Sequence, residues 1–258
     1  MFRKFFIAVL SSVVLVFFLW CLNTEAQSVK DGLVSYWSFD KSSIDGKKVK
    51  DSVGKNDGEM KGEPKSVEGK VGDALEFDGA SGSVEVPTND DLNFGVGDFT
   101  VCAWVKTKAV TARWAQRQDI VGKGDPSVSG YALSADTNKG FFWVGGAGEF
   151  SGTTDINDDK WHFIIGVRKG DQCFVYTDAK QEGKGTNAES VDTTVGIIFG
   201  KHPLKAESFF AGSIDEVGIY NRALSEDEIK INYEAKGAAV DPSGKLGLTW
   251  AKIKILEF

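Results

Sequence analysis

Phe99-Thr100-Val101-Cys102-Ala103-Trp104-Val105 alternates without a break. Successive side chains on a strand point to opposite faces, so Thr100, Cys102 and Trp104 share one face of a strand over Phe99–Lys106. The same period of two recurs on both sides. Upstream it predicts strands at Leu33–Phe39, Ala74–Phe77 and Ser83–Val86. Downstream it predicts strands at Asp119–Lys123, Tyr131–Ala135, Phe141–Gly145, Trp161–Arg168, Gln172–Thr177, Gly196–Gly200 and Gly212–Tyr220. Gly, Asp, Asn and Ser bound these runs, and Lys169-Gly170-Asp171 reads as a hairpin turn. Eleven short strands at regular spacing predict an all-β, two-sheet antiparallel sandwich. The same alternation assigns Trp37, Trp104 and Trp161 to the core.

One short C-terminal helix interrupts the pattern. Ser225-Glu226-Asp227-Glu228 matches a capping box, with Leu224 and Ile229 placed as a hydrophobic staple. Acidic residues in the first turn suit the helix dipole. The helix is expected to end near Ala235, with Gly237 as its stop. Residues 27–236 then form the folded domain, and 237–258 form a linker and tail.

The ends and the charge bound the function. Arg3 and Lys4 precede the apolar run Phe5–Leu22, and Thr24-Glu25-Ala26 offers small residues at a cleavage site. That is the layout of a signal peptide over residues 1–26, which predicts a secreted or cell-envelope protein. The run is also at the lower limit for a membrane span, so an uncleaved signal anchor is the alternative. Without residues 1–26, the 30 basic and 37 acidic residues fall to 28 and 36, and the net charge moves from −7 to −8. Such a chain lacks the basic face that nucleic acid requires, and it does not suit anionic lipid. No membrane contact is expected beyond the signal segment. Removing Cys21 leaves Cys102 and Cys173, an even count that permits a disulfide in an exported chain. Two buried free thiols are the other reading.

Six motifs in order carry a family resemblance. They are Leu33–Asp40 (LVSYWSFD), Gly69–Gly79 (GKVGDALEFDG), Phe99–Val105, Lys160–Phe163 (KWHF), Val175–Asp178 (VYTD) and Gly212–Ser225 (GSIDEVGIYNRALS). Together they resemble the LamG-like jelly rolls of the concanavalin A-like lectin/glucanase superfamily. The resemblance implies a jelly-roll sandwich and a structural role for His162. The strand order also looks like that of the pentraxins, whose partner for the cysteine at Cys102 would fall near Ile164. Cys173 lies one strand further along.

The resemblance implies one structural calcium ion between the first and last strands, with Asp40 and Asp215 as ligands joined by Asp57 and nearby carbonyls. Turn-capping by the same side chains is the plainer alternative. Catalytic relatives use a Glu-x-Asp-x-x-Glu strand. Glu76-Phe77-Asp78-Gly79-Ala80-Ser81 supplies its first two carboxylates and lacks the third. The loop His202–Ser208 lacks the acids of a pentraxin-type ligand site. What remains is a rim of loops carrying Trp114, Lys123, Asp125, Trp143, His202 and Glu207, the residue types of a glycan site. For Trp143 a place in the core is the plainer reading. The expected function is therefore a non-catalytic module whose partner is an extracellular glycan. A structural or adhesive module binding a surface protein is the alternative, and a glycoside hydrolase or lyase a minor one. Oligomeric state is not legible.

Overall fold

The computed structural model describes residues 28–111, 117–125, 128–146, 148–205 and 208–235. Two antiparallel sheets face each other, as expected for a concanavalin A-like jelly roll. The eight-stranded sheet runs β15 (Lys180–Thr186), β14 (Gln172–Thr177), β13 (Trp161–Lys169), β8 (Phe99–Lys106), β17 (Ala211–Tyr220), β6 (Asp73–Asp78) and β5 (Lys65–Glu68). Its eighth strand, β1 (Leu33–Trp37), pairs with the C-terminal half of β17. The nine-stranded sheet runs β12 (Gly148–Asp155), β11 (Lys139–Val144), β10 (Ser129–Asp136), β9 (Gln118–Asp125), β16 (Ile197–Phe199), β7 (Ser83–Val86), β4 (Gly58–Lys61), β3 (Lys48–Val49) and β2 (Ile44–Asp45).

All eleven expected strands form. Six more appear: β2, β3, β4, β5, β12 and β15. The reason they carry no signal is physical. β15 reads Lys-Gln-Glu-Gly-Lys-Gly-Thr and has no buried residue, so it is held by the backbone ladder to β14 and by the Glu182 carboxylate, which accepts from Thr153 N and Thr154 N of β12, and not by apolar burial. Edge strands bury little and need no apolar alternation.

The core lies between the sheets. Val101, Ala103 and Val105 point into it from β8, and Tyr131, Leu133 and Ala135 from β10. Trp37 meets Phe199 edge-on at 4.9 Å, and Phe99 meets Phe142 the same way at 5.8 Å. Trp104 lies on the other face of β8. It stacks with Phe163 at 5.1 Å and with Tyr233 of the helix α1 (Glu226–Glu234) at 5.4 Å. Trp161 is half-buried beside this second cluster. The capping box at Ser225 forms as expected. Gly237 lies outside the described residues, as do the signal segment and the tail.

Cys102 and Cys173 are both free, which corrects the disulfide expectation. In the register of β13 on β8, Cys102 faces Ile165, one residue from the position the pentraxin comparison implied. Cys173 sits on β14, beyond β13, and packs into the core between the sheets, whereas Cys102 packs on the outer face. Adjacent strands lie about 4.8 Å apart, and a disulfide needs Cβ atoms about 3.8 Å apart. Two strands' distance and opposite faces exclude the bond.

Candidate functional site

The outer face of the nine-stranded sheet carries a buried polar cluster. Its origin is a bulge. Asp119 pairs with Ser134 and Val121 with Leu133, so Ile120 is the extra residue between them. Ile120 and Val121 both enter the core, and Asp119 is turned outward. Asp119, fully buried, accepts two hydrogen bonds from Arg117, Nε to Oδ1 at 2.7 Å and Nη2 to Oδ2 at 2.9 Å. Ser134 Oγ donates to Oδ1 at 2.6 Å. The fork geometry compensates the cost of burying both charges. The guanidinium lies over the Trp143 ring, 4.3 Å from its centroid, and Trp143 stacks on Phe141 at 5.8 Å.

Two paired segments, residues 200–205 and 208–210, lean on this cluster. Lys201 bridges Phe209, His202 N donates to Ser208 O at 2.9 Å, and Ser208 Oγ donates to Arg117 O at 2.6 Å. Pro203 reaches the sheet because residue 122 is glycine. A Cβ there would lie 2.8 Å from Pro203 Cδ and 3.2 Å from Asp119 Oδ2. His202 is 1 % exposed. Its Nδ1 accepts from Leu204 N at 3.1 Å, and its Nε2 is buried with no hydrogen-bond partner. Burial lowers its pKa against the pull of Asp119.

Trp143 and His202 thus fall in one cluster, joined through Arg117 and Asp119, which the sequence reading missed. The available signal was the i, i+2 spacing of Arg117 and Asp119, which places both on one strand face. Trp143 is covered by Arg117 and 1 % exposed, so its ring is packing and not an open platform. Lys123 leaves the rim altogether. It shares the inward face with Val121, and Nζ donates to Thr193 O at 3.2 Å and Val195 O at 3.0 Å. Burial pushes its pKa down to about 8. Asp125 ends β9 at a turn closed by Val128 N, 2.8 Å from its carbonyl. Trp114 and Glu207 lie outside the described residues.

The three candidate metal ligands divide. Asp40 and Asp215 hold one turn, Gly69–Asp73, between β5 and β6. Asp40 Oδ1 accepts from Asp73 N at 2.9 Å, and Asp215 Oδ2 accepts from Lys70 N at 2.8 Å and Val71 N at 3.1 Å. A Cβ on Gly72 (φ 59°) would lie 2.2 Å from Asp40 Oδ1, and one on Gly69 would lie 2.6 Å from Asp215 Oδ2. Asp215 Oδ1 is buried without a hydrogen-bond partner, and burial beside Glu216 pushes the carboxyl up to about 8. A buried carboxylate oxygen with no donor fits a hard cation, so Asp40 and Asp215 suit the implied calcium. Asp57 does not fit. Its Oδ1 accepts from Asp51 N at 2.8 Å and its Oδ2 meets Lys48 Nζ at 2.7 Å. Among the described residues, no three His, Cys, Asp or Glu gather as a metal centre.

The partial catalytic motif is committed elsewhere. Asp78 Oδ1 accepts from Ala80 N at 2.8 Å and Ser81 N at 2.9 Å, and Oδ2 accepts from Ser81 Oγ at 2.9 Å. These donors hold it far below the usual carboxylate range. His162 is clamped between Asp178 and Asp158.

Two facing sheets with this strand order have known relatives. A laminin G-type family model, described as concanavalin A-like lectin/glucanases superfamily, matches residues 78–230, more than half of the chain. The chain belongs to this superfamily. No curated protein matches it in sequence. Solved members of similar fold include the binding domain of Paraclostridial mosquitocidal protein 1. It is 19 % identical with a TM-score of 0.66, and the match covers 79 % of this chain and 52 % of that one. Trypanosoma rangeli sialidase in complex with sialic acid is 20 % identical with a TM-score of 0.62, covering 81 % and 34 %. Domain 4 of a GH43 extracellular arabinanase from Geobacillus stearothermophilus, in complex with arabinotriose, is 20 % identical with a TM-score of 0.57, covering 77 % and 96 %. The chain thus spans about half of the first of these and a third of the second. At these identities the likeness concerns the fold of the superfamily alone.

Proposed function

We propose that this chain is an exported, non-catalytic module that binds a saccharide on the outer face of the nine-stranded sheet. The observation that carries the reading is the cluster of Arg117, Asp119 and His202 around Trp143. Saccharide sites fix their ligand with a few placed polar groups, and this face supplies charged and hydrogen-bonding side chains held in place over the packed Trp143 ring. The arabinotriose complex of the similar arabinanase domain agrees with it. The commitment of Asp78 to its own turn supports the non-catalytic part, because a carboxylate held ionised by three donors is a poor proton donor. The signal-like residues 1–26 support export, and no helix among the described residues is long and apolar enough to cross a membrane. A glycan array and calorimetry on residues 27–258 test the reading. Saturable binding to one glycan class is expected, and its absence on every glycan, with and without calcium, overturns it.

The same reading places a calcium ion at the Gly69–Asp73 turn, held by Asp40 and Asp215. Bound there, the ion supplies the positive charge that the buried Asp215 lacks and fixes the turn between β5 and β6. Calcium addition after chelation is then expected to raise the melting temperature by several degrees. An Asp215→Asn variant is expected to lose that increment.

A further inference from the structure

We infer that the saccharide lies in an open groove beside this cluster, across β16, β7, β4 and β3, where the Glu85 carboxylate accepts from two neighbouring sugar hydroxyls. The inference rests on the saccharide reading above and adds the place of binding and the class of sugar.

One row of residues crosses the outer face of the nine-stranded sheet. Trp143 pairs with Ala132, Ala132 with Gly122, Gly122 with Ile198, Ile198 with Glu85, Glu85 with Glu59, and Glu59 with Lys48. The strand neighbours of Ile198 and Glu85 (Ile197, Phe199, Val84 and Val86) enter the core, so these two side chains face out. Half of the row is covered, because Arg117 lies over Trp143 and Pro203 stands against Gly122. From Ile198 onward the row is open. It forms a groove of about 530 Å³, with Ile198 and Pro87 as apolar lining and Lys48, Glu59, Lys61 and Glu85 as charged lining. Small-molecule sites occupy about 300–1,000 Å³.

The lining leaves one group to be met. Lys48 Nζ is 2.7 Å from Asp57 Oδ2, and Lys61 Nζ is 2.9 Å from Glu59 Oε2. Among the described residues the Glu85 carboxylate accepts no hydrogen bond, and Lys61 acts on it only through space. Glu85 is half-buried and stands directly opposite Glu59, a like-charge pairing that costs stability in a sheet. Donors from a ligand offset that cost. A carboxylate only accepts, and its two oxygens take two donors side by side. Two adjacent hydroxyls of a sugar ring present that pair, while the C–H face of the ring covers Ile198 and Pro87. An acidic sugar brings a further carboxylate to Glu59 and Glu85 and is disfavoured by charge. The ligand class is therefore an oligosaccharide with free adjacent hydroxyls and no acidic group.

Calorimetry and amide NMR on residues 27–258 with cellotriose, arabinotriose and trigalacturonate test this. At least one of the two neutral sugars is expected to bind, with amide shifts centred on Glu59, Glu85 and Ile198. Trigalacturonate is expected to bind at least 10-fold more weakly. Glu85→Ala is expected to weaken the neutral sugar at least 10-fold, and Glu85→Gln, which keeps one acceptor oxygen, to fall between Glu85→Ala and the parent. Shifts centred elsewhere, full affinity in a folded Glu85→Ala, or trigalacturonate bound as tightly as the neutral sugars overturns this inference and spares the saccharide reading. Failure of the parent to bind either neutral sugar also overturns it, and a silent glycan array in addition overturns both. The NMR arm needs no variant to fold.

Discussion

The Cys102 and Cys173 thiols lie on opposite faces of one sheet, with β13 between their strands. Burial pushes their pKa values up, to about 12 for Cys102 and about 11 for Cys173. Thiolate is the reactive form, so both are inert in the native state. Alkylation of residues 27–258 is expected to label neither cysteine in buffer and both in denaturant. Reductant is expected to leave the melting temperature unchanged; a drop of more than a degree or two would reveal a bond that this geometry forbids.

His162 sits between two carboxylates, with Nδ1 2.8 Å from Asp178 Oδ2 and Nε2 3.0 Å from Asp158 Oδ1. The bond to Asp178 is the main cause of its raised pKa, against the opposing effect of burial. A raised folded pKa stabilises below the unfolded value, about 6.5, and the contribution is lost as pH rises through the folded value. His162→Gln is therefore expected to cost about 1–2 kcal/mol near pH 5.5 and less near pH 9. Urea midpoints at the two pH values check the sign.

Glu228 ties the helix to the sheet. It receives Arg222 Nη2 at 2.7 Å and Nη1 at 2.9 Å, and closes the capping box with Ser225. Arg222, above all, holds its carboxyl down to about 2. That stabilisation is present above the unfolded value, about 4.3, and fades as pH falls toward 2. Ser225→Ala is expected to cost about 1 kcal/mol at pH 7. Helix loss below pH 4, followed by circular dichroism, is expected to precede collapse of the sheet signal.

Gly166 marks a close approach of the two sheets. A Cβ there would stand 2.2 Å from Cδ2 of Phe142, which is fully buried and cannot move aside. Gly166→Ala is expected to destabilise by about 1–3 kcal/mol, the range for overpacking a filled core. An unchanged urea midpoint would mean that the sheets have slack at this point.

Much of the scaffold is written in local pattern. The alternation of Phe99–Val105 names the strand and both of its faces, since period two is a property of the backbone itself. Ser225 and Glu228 name the helix start for the same reason, as both bonds of the capping box lie within four residues. The polar edge strands β5 and β15 escape notice, because they are held by main-chain bonds to a neighbour and bury almost no side chain.

The candidate site divides along the same line. His202 and Trp143 were visible as residue types suited to a ligand, but their partners Arg117 and Asp119 were not. Position in the chain alone assigns Lys123 to the rim, and the bulge at Ile120 carries it inward instead. The sequence by itself determined the eleven strands that alternate, the helix cap, the superfamily and the charge, because each depends on neighbours a few residues away or on simple counts. Only the tertiary structure decided which thiols are apart, which carboxylates share a turn and which ring nitrogen is left without an acceptor. Those depend on register, bulges and facing sheets, which bring together residues tens of positions apart.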